Sequence, residues 1–331
     1  MKTVLPLQPV ETLLSRNRYP VLTAGLALFV PLILLFGASG AIYPADIEPW
    51  DENPIELTGL FLMMAVLPTY LLMCFVAARR RSHQTHEFIA SHLPDNADHD
   101  RLRNLWMNWW PLGIVFGVVM GLSNTNWASL NFKLDSPMAT VSYCIAIGQF
   151  VMWHIVGLVL FFAVQEALAL NRFGRLVKVN LYNLDSLNGF GRNALNNFLM
   201  IAGALALTTL QALDQEFRWI NYRNGLIVGI PAALILVPLP IWNLHRRIVA
   251  AKQELVGEVN RLIETTSTEL TGEGAEAMNS LLLRREQIQN LRNWPMSLPM
   301  ATRFVAYAFI VPMAWAGAAL VEFMLDSVLA Q

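Results

Sequence analysis

Apolar residues gather in seven stretches, roughly Val21–Tyr43, Leu57–Ala78, Trp109–Ser123, Thr140–Leu168, Asn197–Leu213, Leu226–Leu244 and Pro299–Leu325. A hydrocarbon layer about 30 Å thick takes about 20 mostly apolar residues in a helix. The pattern therefore predicts an all-α fold, a polytopic membrane helix bundle with seven transmembrane helices. The third and fifth stretches are the shortest. The third reaches a spanning length if it runs from near Leu105 to near Trp127, which sets tryptophans at both membrane surfaces.

The polar intervals give the rest of the organisation. Residues 1–20 form an N-terminal segment, 21–244 hold the first six spans with loops at 79–104 and 169–196, 245–298 form a helical hairpin, and 299–331 carry the seventh span and a short tail. The first segment is polar, with Pro6, Pro9 and Pro20, and the apolar run after it is too long for a cleaved signal, so a retained span is predicted.

The hairpin is read from seven-residue apolar rows. The sixth span continues from Ile241 into a polar helix with Ile248, Leu255 and Leu262 in one row, Val249, Val256 and Ile263 in the next, and Val259 between them. Such a seam suits a partner helix. Lys252, Glu254, Glu258, Arg261 and Glu264 alternate outside it at helical spacing. The run Thr271-Gly-Glu-Gly-Ala breaks the helix, and Leu281, Leu282, Leu283, Ile288 and Leu291 make a second apolar arm. The arms measure about 38 and 27 Å at helical rise, and Trp294-Pro295 with Pro299 forces a bend before the last span. The seam is satisfied between the arms or shared with other subunits; Ile248, Leu255, Val259 and Leu262 are the candidates for the shared case. Ahead of the fifth span, Leu181, Leu184, Leu187 and Phe190 recur every three residues. This predicts an amphipathic element on the membrane surface or against the helix ends, with Gly189-Phe190-Gly191 as a turn into the fifth span.

Charge supplies the orientation. Of the 23 lysines and arginines, only Lys133, Arg218 and Arg223 fall in one set of alternating loops. Loops kept in the cytoplasm retain Lys and Arg, so the N-terminus and hairpin are predicted inside and the C-terminus outside, in a plasma (inner) membrane. The first outer loop is acidic (Asp46, Glu48, Asp51, Glu52, Glu56) and is compatible with this. The outer loops are short, which predicts no external ligand-binding domain. The chain is 55% hydrophobic and 14% charged, with a net charge of −1. Soluble domains carry about 25% charged residues, and no basic field points to nucleic acid.

Candidate chemistry is sparse. His83, His86, His92 and His99 lie among Glu87, Asp95, Asp98 and Asp100. Their spacing matches no recognised ligand set and Pro94 favours a turn, so a solvated loop is expected and no metal or cofactor is assigned. Cys74 and Cys144 both sit in apolar stretches, which argues against a disulfide framework. In the fourth span His154 follows Gln149 and precedes Gln165 and Glu166. Such residues could line a polar path. Because Leu158, Phe161 and Phe162 share the stripe, one interhelical hydrogen bond for His154 is the favoured reading. Glu322 in the last span is a further polar candidate, close enough to the end to snorkel.

Walker, GxGxxG, HExxH and GxSxG motifs are absent, the last span has no lysine for a retinal Schiff base, and the halves show no clear repeat. An enzyme is not expected. In its plan of seven helices with an internal N-terminus, the chain resembles the insect chemoreceptor channels in topology; no residue marking the last helix of those channels is present, and no site is carried across. The expectation is an oligomeric, channel-like pore protein in the bilayer, assembled through the hairpin. Its last span (Phe304, Tyr307, Pro312, Trp315, Glu322) would lie near the axis, with Ala314, Ala316, Gly317, Ala318 and Ala319 allowing close packing. The alternatives are a membrane-embedded sensor or scaffold docking a soluble partner, and a secondary transporter.

Overall fold

The structure, a computed structural model, describes residues 18–39, 54–90, 110–125, 137–212, 219–266 and 272–329, without the side chains at 54–58, 82–90, 110, 137–139, 212, 219–222, 272–274 and 321–329. All regular structure among the described residues is helical: α1 (Pro20–Ala38), α2 (Pro54–Ala90), α3 (Trp110–Asn124), α4 (Pro137–Phe173), α5 (Asn188–Leu207), α6 (Trp219–Leu236), α7 (Leu239–Thr266), α8 (Gly272–Asn290), α9 (Leu298–Ala308) and α10 (Ile310–Leu329). Short 3-10 turns precede α5 at Leu184–Leu187 and extend it at Thr208–Ala212.

Six stretches are long and apolar enough to cross a membrane: Pro20–Ala38, Gly59–Arg81, Thr140–Phe173, Leu184–Gln211, Arg223–Thr266 and Leu298–Leu320. The third predicted span corresponds to a shorter apolar helix, Pro111–Asn124. Surface polarity is inverted relative to a soluble protein. Leu22, Leu26, Val30 and Leu34 project from α1, and Ile227, Ile230 and Leu234 from α6, all exposed. Continuous apolar rows of this kind suit lipid contact, where the helix satisfies its own backbone.

Prolines interrupt two of the predicted spans. The sixth breaks at Val237–Pro238, between α6 and α7, because Pro238 and Pro240 lack the N–H groups that would bind the carbonyls of Leu234 and Leu236. Asn197 of α5 repairs part of this loss, its Nδ2 donating to the Leu236 carbonyl at 3.3 Å. The seventh breaks at Phe309, between α9 and α10, where Pro312 withholds the donor for Ala308.

Two apolar clusters hold the chain. The larger fills the bundle between α1, α2, α4, α5 and α6, with Phe36 against Phe61 at 4.8 Å between ring centres and Met64, Ala65 and Leu236 fully buried. The smaller lies toward the hairpin: Leu181, Leu184, Leu187 and Phe190 pack against Leu170, Ala194, Ile241, Leu244 and Ile248. The three-residue spacing is thus that of a 3-10 turn, and its apolar side covers helix ends. The predicted turn at Gly189-Phe190-Gly191 is instead the first turn of α5. Gly191 is there for closeness: a Cβ would meet Met300 Sδ at 2.7 Å and Met296 Cγ at 2.9 Å.

Glycines also set the tightest helix pair. Gly113, Gly117 and Gly121 recur every four residues on α3 and face Gly157, His154 and Phe150 of α4. Without Cβ atoms the backbones come into direct contact, the small-xxx-small device of membrane helices.

Candidate functional site

A cavity of about 430 Å³ lies inside the bundle, walled by α2, α4, α5 and α6 and reached by the last turn of α3. Ligand sites commonly occupy about 300–1,000 Å³. Ser123 and Asn124 end α3, Thr208 and Gln211 end α5, and Arg223 and Asn224 begin α6, so all of these polar groups line the cavity at the side opposite the hairpin. Asn224 Nδ2 donates to Asn124 Oδ1, tying α6 to α3 at this edge. Farther in, the walls are Met63 and Leu67 of α2, Met152 and Trp153 of α4, and Met200 of α5. Among the described residues the lining holds one ionisable side chain, Arg223, and no carboxylate.

Trp153 is only 6% exposed, and its indole Nε1–H, like Gln211 Oε1, is buried without a hydrogen-bond partner. Polar groups left in this condition are uncommon in folded proteins and call for a missing partner. Phe116 holds the Trp153 ring in an edge contact at 6.4 Å. Toward the hairpin, Tyr70 donates its hydroxyl to the Leu199 carbonyl at 2.9 Å, and Gly203 leaves room for its ring. Phe75 and Phe162 meet edge to face at 4.9 Å.

The predicted polar residues divide. Gln149 lines the cavity. His154 does not; it faces α3 beside Gly117, and its Nδ1 lies 2.7 Å from the Phe150 carbonyl of its own helix, so the expected interhelical bond is replaced by a bond within α4. Gln165 and Glu166 sit near the hairpin end of α4, Glu166 only 3% exposed. From Gln149 to Glu166 is about 25 Å along a helix, and neither Gln165 nor Glu166 lines the cavity. Glu322 lies on α10 and His83 and His86 on α2, with side chains outside the described set; His92 and His99 fall outside the described residues. No group of three metal-binding side chains occurs among the described residues.

The hairpin is closed by its own contacts near the bundle. Lys252 Nζ of α7 donates to the carbonyls of Gln289 at 2.6 Å and Leu291 at 2.9 Å, and to Asn293 Oδ1 at 2.9 Å, capping the end of α8. His245 stacks on Trp294 at 3.9 Å and bonds the Asn293 carbonyl. Arg292 pairs with Asp185 at 2.8 Å, and the guanidinium, by hydrogen bond and charge, holds that carboxyl below its ordinary range. Along the seam Ile248 and Val259 are buried and Leu255 is half-buried on the smaller cluster, whereas Leu262 is 47% exposed, with Leu282 and Leu283 also exposed.

Sequence reading missed Trp153, Asn124, Asn224 and Asn197. Asn124, Asn224 and Asn197 stand beside other polar residues (Ser123, Arg223 and Asn196) at the edges of apolar stretches, and Trp153 lies within one, so nothing local set them apart.

Comparison with protein-family models, curated proteins and solved structures found no match. By its helices the chain is a multi-pass membrane protein, and its class rests on this fold and this cavity.

Proposed function

We propose that the chain is a membrane-embedded sensor: a small solute enters the bundle from outside, and its occupancy is relayed to the cytoplasmic hairpin. The observation that carries this is one continuous route. α6 supplies Arg223, Asn224, Val228 and Gly229 to the cavity wall, and after the Val237–Pro238 break it becomes α7, the long arm of the hairpin. Sidedness follows the basic residues: Arg81, which ends the apolar stretch of α2, bonds Asn196 near the start of α5, on the side of Arg246, Arg247 and Arg292. That side is the cytoplasm by the positive-inside rule, and the cavity then opens outward. Hydrogen exchange of the purified chain with and without a bound solute tests the relay. Protection of α7 and α8 should change on binding, and an unchanged hairpin refutes the sensor.

A second reading, assembly of several subunits around a pore, is favoured by two observations. Leu262, Leu282 and Leu283 leave the far end of the hairpin apolar, and no residue from 301 to 320 is buried. Leu262→Asp should dissociate an assembly while leaving the protomer folded, whereas Leu255→Asp should loosen the protomer's own hairpin. A monomeric wild type with no ion flux in liposomes removes the pore reading.

A further inference from the structure

We infer that the cavity takes an amphipathic anion, with its acidic head at Arg223 and an apolar chain lying inward against Met63, Met152 and Met200. The inference rests on the solute-binding reading above and names its ligand class.

The charge of the site selects the sign. Arg223 is the one ionisable side chain among the described lining residues, and none of these residues is a carboxylate. An anion neutralises the guanidinium through charge-assisted hydrogen bonds, while a cation would face it uncompensated. Beside Arg223, Asn224 keeps the second hydrogen of its Nδ2 for the same head, whereas the hydroxyls of Ser123 and Thr208 already donate to the carbonyls of Met120 and Leu205.

The interior selects the tail. Unbranched methionines adapt to chains of varied shape, and among the described residues Trp153 supplies the one N–H that is both in the deeper wall and without a partner. From Gln149 to Leu160, both of which line the cavity, α4 rises about 16 Å. That length suits a medium acyl chain. A water carried in with the ligand can donate to Gln211 Oε1 and accept from the Trp153 Nε1–H, neither of which has a partner in the protein.

The test uses the purified full chain in phosphatidylcholine nanodiscs, with radiolabelled laurate as probe and dodecanol and dodecylamine as uncharged and cationic competitors. Laurate should bind at least about tenfold more tightly than either. Arg223→Gln should abolish that preference while leaving dodecanol unaffected. Ala204→Phe and Val228→Trp, both filling the cavity, should abolish binding of all three, with helical circular dichroism confirming that each variant folds. Equal binding of the three probes, lost on filling the cavity, overturns the anion inference and leaves solute binding standing. Laurate binding that survives both filled variants overturns the cavity itself. Displacement of laurate by added phosphatidylglycerol identifies the anion as a bilayer lipid; failure to displace it identifies a free acid.

Discussion

Replacing Gly117 by alanine would put a methyl carbon 2.7 Å from His154 Cα, 3.1 Å from its backbone nitrogen and 3.1 Å from its Cγ. Two of these three atoms are backbone, so no rotamer change relieves the contact. Helix α3 must retreat from α4 by about 0.7 Å to restore ordinary van der Waals distance. A gap of about 0.5–1 Å forfeits about a quarter to a half of each pairwise attraction. The loss extends along the whole seam from Gly113 against Gly157 to Gly121 against Phe150. Overpacking of this kind costs about 1–3 kcal/mol. Alanine also favours the helix over glycine by up to about 1 kcal/mol, which must be separated from the packing cost. Gly317→Ala provides the reference, since a Cβ there meets nothing within 4 Å. Unfolding in mixed detergent micelles, followed by far-ultraviolet circular dichroism, should place Gly117→Ala about 1–3 kcal/mol below Gly317→Ala. A difference under about 0.5 kcal/mol, the range of an ordinary surface change, refutes the close glycine contact.

Asn197→Leu strands the carbonyl of Leu236, which is fully buried. It should cost about 1 kcal/mol in the same unfolding assay, between the soluble range of about 1–3 and the membrane average of about 0.6. Lys252→Met removes three hydrogen bonds at the end of α8. Amide exchange in the last turn of α8 should accelerate about fivefold or more, as expected for a loss of about 1 kcal/mol; unchanged exchange would mean the cap is idle. Because Arg292 lowers the Asp185 pKa, their pairing favours the folded state above the ordinary carboxylate range and loses that effect as pH falls through the lowered value. Both side chains are substantially exposed, at 45% and 66%, so the effect is small and screened by salt. The melting temperature of Asp185→Asn should sit slightly below wild type at neutral pH and converge with it below about pH 4; parallel curves throughout would exclude the linkage.

The spans and the hairpin were legible because both are written in local periodicity. Runs of about 20 apolar residues announce membrane helices whatever their neighbours, and the row of Ile248, Leu255 and Val259 announces a covered face that the structure fills from the smaller cluster and the second arm. The spacing of Leu181, Leu184 and Leu187 was equally local, and it became a 3-10 turn. Gly189 and Gly191 misled, since glycine in a polar segment suggests a turn, whereas here both lie in the first turn of α5 and Gly191 admits Met296 and Met300. The four-residue spacing of Gly113, Gly117 and Gly121 on α3 carried the packing signal within one helix, and the sequence reading did not use it. The cavity was not legible. Its mouth joins the ends of α3 and α5 to the start of α6, and Asn124 and Asn224 are one hundred residues apart in sequence. Gln149 could be singled out as a polar residue within a span, but no pattern along one helix shows what stands across from it.

The proposed relay requires the break between α6 and α7 to join the cavity to the hairpin energetically as well as covalently. A ligand shifts an equilibrium only by its difference in affinity for the two states. If it binds one state alone, it supplies about 2.7 kcal/mol at one hundred times its dissociation constant. The clamp that holds the break must be weaker than this for occupancy to move α7. Beside the break, α5 offers the hydrogen bond from Asn197 to Leu236, worth about 0.5–1.5 kcal/mol. Two missing backbone donors, at Pro238 and Pro240, have already weakened the helix at this point. The bond from Asn197 is therefore strong enough to set a resting angle and weak enough for a bound solute to overcome. Asn197→Leu should accordingly shift the hairpin's hydrogen exchange toward the ligand-bound pattern in the absence of ligand. If the variant only loses stability and its exchange pattern stays that of the unliganded protein, the break is a passive bend and the relay must run elsewhere.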